Sequence, residues 1–232
     1  MSEKEIIVMS VGGSLIVPDQ IDTVFIKKLK DFIVEETTKN GRRFIIIAGG
    51  GKTARRYQDA AAAVDSLNSD DLDWLGLHAT RLNGHLLRTV FRDLAHPVIV
   101  TNPDEILDIP KTSSLVIAAG YRPGASTDLR AIQIADRVGA KKVINLSNTD
   151  YVYTANPKTN PAAEKIENIK WSEFRKLIPA EWDPGLSSPF DPIAAREAER
   201  LEIEVAQING ENLEQLSNYI HNKDFVGTRI HA

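Results

Sequence analysis

Short apolar runs alternate along the chain with longer stretches in which apolar residues recur every three or four positions. The runs at 5–11, 43–48, 97–101, 114–119, 141–146 and 202–208 are rich in Ile, Val and Leu. Their length and continuity predict strands of a sheet covered on both faces. Between them, residues 22–36 place Val24, Phe25, Leu29, Phe32 and Ile33 on one stripe of a helix. Residues 52–64, 72–93, 127–138 and 190–201 carry the same period. Strand and helix taking turns in this way predicts an α/β sandwich, mainly parallel, with right-handed crossovers. No linker or repeat divides the chain, so residues 1–232 are expected to form one domain.

Composition narrows the class. With 232 residues, 42% hydrophobic and 26% charged, the chain can bury a sizeable core. It has no cysteine, which removes disulfides, thiol nucleophiles and cysteine-held zinc together. The net charge of −4 speaks against a general nucleic-acid binder while leaving room for a local basic pocket. No apolar run approaches the ~20 residues that span a bilayer. The start, MSEKEIIVMS, lacks the long apolar region of a secretory signal, so no membrane partner and a cytoplasmic location are expected.

The chemistry concentrates in the loops that follow the strands, where open α/β sheets bind ligands. VGGSL follows the first run, GGGKTARR the second, GYRPGASTD the fourth and NLSNTDYVYTANPK the fifth. GGGKTARR is not a phosphate-binding P-loop, because Ile46 stands where that motif needs its first glycine. Nor is it a dinucleotide fingerprint, since Ala54 occupies the third-glycine position and no separate glycine-rich turn is in register. The physics beneath both motifs remains. Glycines let backbone amides approach a ligand, and the following helix start favours negative charge. Three glycines followed by Lys52, Arg55 and Arg56 therefore predict an anion site.

These segments, in this order, resemble the amino acid kinase superfamily and, within it, the archaeal-type UMP kinases. The similarity is carried by GGS at 12–14, GGGKTARRY at 49–57, DWLGLHATRLNGHLL at 73–87, PGASTD at 123–128, TDYVYTANPK at 149–158, FDPIAA at 190–195 and GTRI at 227–230. The resemblance implies a three-layer α/β/α sandwich on an open, mainly parallel eight-stranded sheet, with an acceptor lobe over about 1–135 and an ATP lobe over 136–232. It implies UMP and ATP as ligands, Mg2+ as cofactor, UDP as product for pyrimidine nucleotide synthesis, and a homo-oligomer, usually a hexamer. Gly50, Gly51 and Arg55 would hold the UMP phosphate, Asp73 the ribose, and Gly120 and Thr127 would bind near the acceptor. Gly12 and Gly13 would lie by the transferring phosphate. On the donor side Asn148, Tyr153, Asn156 and Lys158 would flank ATP, and Asp191 would orient catalytic groups.

Phosphoryl transfer asks a protein for alignment and charge neutralisation more than for covalent work. Glycine amides, an arginine fork and a magnesium ion suit that task, with Asp73, Asp128 and Asp191 available for ribose and cations. Asp73 equally suits a helix start, and Asp191, before Pro192, equally suits an N-cap. Arg56 fits a solvated helix residue, and His78 and His85, seven apart, fit packing better than metal binding. The family pattern has a strand lysine where Ser10 stands here, a glycine at Tyr151 and an aspartate at Asn156. Lys52 is the first candidate to replace the lysine's charge, with Arg122 and Lys158 behind it. A nucleotide- or oxyanion-storage protein on the same fold, or another small-molecule kinase of the superfamily, is the alternative. An isopentenyl phosphate kinase is disfavoured because no histidine lies in GGGKTARRY.

Overall fold

A computed structural model describes residues 5–157, 159–181 and 188–232. In chain order the elements are β1 (Ile6–Val11), α1 (Gly13–Ile16), α2 (Thr23–Thr38), β2 (Arg43–Ala48), α3 (Gly51–Ala62), α4 (Ser69–Val90), a 3-10 turn (Pro103–Asp108), β3 (Leu115–Ala118) and α5 (Thr127–Val138). Then follow β4 (Lys142–Ser147), β5 (Val152–Tyr153), β6 (Lys165–Ile166), β7 (Asn168–Lys170), α6 (Trp171–Leu177), α7 (Pro192–Arg200), β8 (Glu204–Asn209), α8 (Leu213–Ile220) and β9 (Thr228–His231).

Strand residues alternate between two cores because side chains of a strand point to opposite faces. Ile7, Met9 and Val11 of β1, with Phe44 and Ile46 of β2, pack beneath α1, α2, α4 and α8. Val8, Ile45 and Ile47 face the other way, toward α5, α6, α7 and the 3-10 turn. The result is the expected three-layer sandwich. The sheet has order β3-β2-β1-β4-β8-β9-β7 and is parallel except where β9 meets β8.

Seven strands, not eight, make this sheet among the described residues. Residues 97–101 run beside β3 through isolated bridges at Ala95–Leu115 and Val100–Ala118. Pro97 has no N–H to donate and Val98 is 65% exposed, so the expected strand stays an interrupted edge. Other boundaries move for local reasons. The strand expected from 202 begins at Glu204, because Glu202 takes a left-handed turn at φ 53° after α7. The helix expected from 72 begins at Ser69, capped by Asn68, whose side chain accepts from the Asp71 amide at 2.8 Å.

Candidate active site

β1 lies between β2 and β4, so the chain leaves it toward opposite sides of the sheet and opens a crevice at the strands' carboxyl ends. A cavity of about 390 Å³ sits there. Its floor is two glycine turns pressed together. A Cβ on Gly13 would lie 1.9 Å from the Gly51 nitrogen, one on Gly49 2.3 Å from the Gly13 nitrogen, and one on Gly51 2.2 Å from the Gly13 oxygen. Gly51 also has φ 61°, a conformation that disfavours any side chain. The first two strand-end loops thus form one backbone surface.

That surface presents donors. Gly50 and Gly51 occupy the N-cap and first position of the 12-residue helix α3, where amides have no intrahelical acceptor. Asn83, on α4 and almost fully buried, donates from its amide nitrogen to the carbonyls of Gly49 at 2.7 Å and Gly50 at 3.1 Å. In a trans peptide the carbonyl and the next N–H point in opposite directions. Asn83 therefore turns the Gly50 and Gly51 amides away from α4 and fixes the edge that they present. Asn83 was not singled out from sequence; its sign was an amide among the apolar residues of LGLHATRLNGHLL. We expect Asn83→Leu to lower kcat/KM by about tenfold or more in steady-state kinetics, as two buried carbonyls lose their donor.

The cavity lining brings together Gly12, Gly13, Gly50, Gly51, Lys52, Arg55, Asp73, Gly120, Thr127 and Asn148. Lys52 and Arg55 are exposed, and the Lys52 amide is committed to the Val17 carbonyl at 3.0 Å. Arg56 points elsewhere and pairs with Asp19 at 2.8 Å. Asp73 lies a full turn inside α4, where Asp70 and Asp71 occupy the first turn, so it is not a helix-start residue. Its Oδ2 accepts from the Gly124 amide at 2.6 Å. Burial raises its carboxyl pKa, with Asp70 adding to the rise and the Gly124 amide and Arg130 opposing it. Ser126 caps α5 through the Leu129 amide at 3.1 Å, which leaves the Thr127 hydroxyl uncommitted to capping. Gly120 is held by its amide on Thr80 Oγ1 at 2.9 Å, and Arg81 grips the carbonyls of Gly120 and Tyr121 at 3.1 and 2.8 Å.

At the back of the cavity the Ser10 hydroxyl donates to Asp128 Oδ1 at 3.2 Å, and Asp128 Oδ2 accepts from the Asp191 amide at 3.3 Å. Burial, and then the Asp191 charge beside it, push the Asp128 carboxyl up to about 7, against the pull of those two donors. Asp191 does not line the cavity. It stands behind Asp128, capping α7 through Oδ1 on the Ala194 amide at 2.7 Å, while its buried Oδ2 has no partner among the described residues.

Tyr153 and Asn156 also lie outside the cavity lining, Tyr153 in β5 and Asn156 in the connection from β5 to β6, and Lys158 falls outside the described residues. Tyr151 does not have a positive φ, so its turn has no need of glycine. Its ring stands edge-on to Tyr153 at 6.3 Å, with Lys165 over its face at 5.0 Å. The closing motif has a structural part: the buried Thr228 hydroxyl accepts from the Val152 amide at 2.8 Å, tying β5 to the main sheet.

Among the described residues no three His, Cys, Asp or Glu side chains cluster as a ready metal cage. A Mg2+ ion needs less, since one or two carboxylates plus substrate phosphates usually hold it. Asp128, with the unpartnered Asp191 Oδ2 behind it, fits that pattern. No helix among the described residues is long and apolar enough to cross a membrane.

A parallel sheet whose switch point carries an amide-lined, cation-flanked cavity defines a phosphate-handling α/β protein. Residues 5–209 match the model of the amino acid kinase family, and the chain belongs to that family. It is 34% identical over 227 residues to the uridylate kinase of Methanospirillum hungatei, covering 97% of this chain and 94% of that protein. It is 31% identical over 214 residues to the uridylate kinase of Hyperthermus butylicus, covering 92% and 93%. The crystal structure of uridylate kinase from Archaeoglobus fulgidus superposes with a TM-score of 0.82 at 27% identity, covering 97% of this chain and 99% of that one.

Proposed function

We infer that this protein is an ATP-dependent UMP kinase, moving the γ-phosphate of ATP to UMP to give UDP and ADP. The observation that carries this is the pair of interlocked glycine turns, which aims the Gly50 and Gly51 amides into a cavity flanked by Lys52 and Arg55. Full-length similarity to uridylate kinases supplies the acceptor.

In this assignment the UMP phosphate rests on the Gly50 and Gly51 amides and on Arg55, with Asp73, Gly120 and Thr127 around the nucleoside. Gly12 and Gly13 face the transferring phosphoryl group. Asn148, Tyr153, Asn156 and Lys158 flank ATP. The UMP phosphate needs no general base, because near neutrality its second ionisation is largely complete, with a pKa of about 6 for phosphate monoesters. Catalysis then rests on alignment and on cations placed at the equatorial oxygens. Asp128 would hold Mg2+, which supplies charge neutralisation between the nucleotides, and Asp191 positions Asp128 from behind.

The division into an acceptor lobe over about 1–135 and an ATP lobe over 136–232 is supported by the sheet. β1, β2 and β3 lie to one side of the β1–β4 boundary and β4, β8, β9 and β7 to the other, while β5 and β6 pair in a small sheet of their own. A homo-oligomer, hexameric by resemblance, is supported by exposed Tyr57, Val64, Trp74 and Leu82 on and between α3 and α4. The role proposed is pyrimidine nucleotide synthesis in the cytoplasm, where ATP and UMP meet.

An acceptor panel tests the assignment: UMP, CMP, AMP, acetylglutamate, aspartate and isopentenyl phosphate with ATP and Mg2+. UMP is expected to give the highest kcat/KM, and a tenfold preference for any other acceptor, about 1.4 kcal/mol, overturns it. Arg55→Ala should raise the KM for UMP about tenfold or more while leaving that for ATP within twofold, and Arg55→Lys should recover it only in part.

A further inference from the structure

The acceptor side of the cavity has two walls, and one helix carries both. Asp73, Gly76, Leu77 and Thr80 of α4 line the cavity at the three- and four-residue spacings of a single helix face, and Asn83 continues that face. The first wall is the glycine turn, whose Gly49 and Gly50 carbonyls accept from Asn83 at 2.7 and 3.1 Å. Gly50 also lies close against the helix, where an added Cβ would stand 3.3 Å from the Gly76 carbonyl oxygen.

The second wall is the loop from Gly120 to Ser126, which joins β3 to α5. Its first amide, on Gly120, donates to Thr80 Oγ1 at 2.9 Å, and the Gly124 amide donates to Asp73 Oδ2 at 2.6 Å. Between those two ties stands Arg81. It is half-buried and does not line the cavity, yet its Nε donates to the Gly120 carbonyl at 3.1 Å and its Nη2 to the Tyr121 carbonyl at 2.8 Å. Carbonyls of successive residues in an extended strand face opposite ways, so two that meet one arginine mark a chain that has turned. Nε and Nη2 share one edge of the planar guanidinium, and such a side-on pair fixes direction as well as distance. On the α5 side the Arg130 guanidinium sits over the Tyr121 ring at 5.3 Å, which braces the loop from behind.

We propose that Arg81 is a positioning residue for the nucleoside end of the acceptor site, and that α4 sets the spacing between that end and the phosphate seat. The proposal rests on the UMP kinase reading and adds how the acceptor is held in register. From Asp73 to Asn83 the helix rises roughly 15 Å, at about 1.5 Å per residue, so both walls are mounted on one rigid element. Arg81 governs one wall and Asn83 the other. Loosening either should therefore damage recognition of only one part of UMP.

The test uses UMP in two halves, uridine for the nucleoside and methyl phosphate for the phosphate monoester, each displacing bound UMP in a calorimetric titration of the full chain. Arg81→Met should weaken uridine and UMP about tenfold or more while leaving methyl phosphate and ATP within twofold. Asn83→Leu should do the reverse, weakening methyl phosphate and leaving uridine within twofold. A residue that only stabilises the fold would lower the melting temperature and shift both halves alike, leaving the ratio of the two affinities where it was. Arg81→Lys, which keeps the charge but not the side-on pair, should recover uridine binding only in part. Should Arg81→Met fail to fold, Thr80→Val removes the acceptor of the Gly120 amide on the same wall and should move the same ratio in the same direction. An unmoved ratio in these variants, or full recovery by lysine, overturns the proposal. A wild type that does not bind UMP overturns the acceptor assignment as well, whereas UMP bound by the wild type with an unmoved ratio in Arg81→Met overturns this inference alone.

Discussion

Asp128→Asn is expected to lower kcat for UDP formation by about 10²- to 10³-fold, on the order of 3–4 kcal/mol, with UMP affinity little changed. Asp128 is the carboxylate at the back of the cavity, held between the Ser10 hydroxyl and the Asp191 amide. An amide of the same shape keeps one acceptor and loses the negative charge that would hold a cation. A loss below tenfold removes Asp128 from the catalytic group.

The same variant carries a pH signature in the protein free of nucleotide and magnesium. The folded carboxyl, up to about 7, lies above its ordinary value of 3.8. The folded state therefore binds the proton more tightly than the unfolded state. What that protonated carboxyl contributes is fully present below about pH 4 and is lost as pH rises through 7. Wild-type melting temperature should fall between pH 5 and 8 more steeply than that of Asp128→Asn. Parallel profiles would show that Asp128 ionises like an ordinary carboxylate.

Lys52→Ala is expected to lower kcat by roughly 10²-fold, on the order of 3 kcal/mol, with the fold and UMP affinity nearly intact. Where the family pattern has a lysine on β1, this chain has Ser10, whose hydroxyl turns to Asp128. The charge developing on the transferred phosphoryl group then needs another cation. Lys52 lines the cavity, follows the glycine turn directly, and has an exposed side chain that can reach a bound nucleotide. Its backbone amide, taken by Val17, cannot contribute. A fall below tenfold moves the role to Arg122 or Lys158.

The central strands were legible because β1, β2, β3 and β4 are nearly continuous apolar runs, the signature of a sheet buried on both faces. Residues 97–101 carry the same signature and still form no ladder, since one proline and one exposed valine outweigh composition. β7 and β9 are harder to see: three and four residues long, β7 without a buried position and β9 with only Thr228 and Ile230 buried, they exist through their neighbours. The glycine turns are legible as a place of close backbone approach, because three successive glycines serve few other purposes. What holds them was not. Asn83 comes from α4, more than thirty positions away in sequence, and its meaning lies in the two carbonyls it meets. Asp191 shows the same limit. The FDP motif marked it, but only the fold shows that it caps α7 and acts on the cavity through Asp128.

Transfer, rather than binding alone, separates a kinase from a nucleotide-storage protein on this fold. The most direct measurement mixes the protein with ATP labelled at the γ-phosphate, UMP and Mg2+, and follows the label within a single turnover. The account predicts that the label leaves ATP and appears in UDP, in one-to-one proportion with ADP. If both nucleotides bind and the label stays in ATP, the protein retains nucleotides without transferring phosphate, and the kinase assignment is wrong.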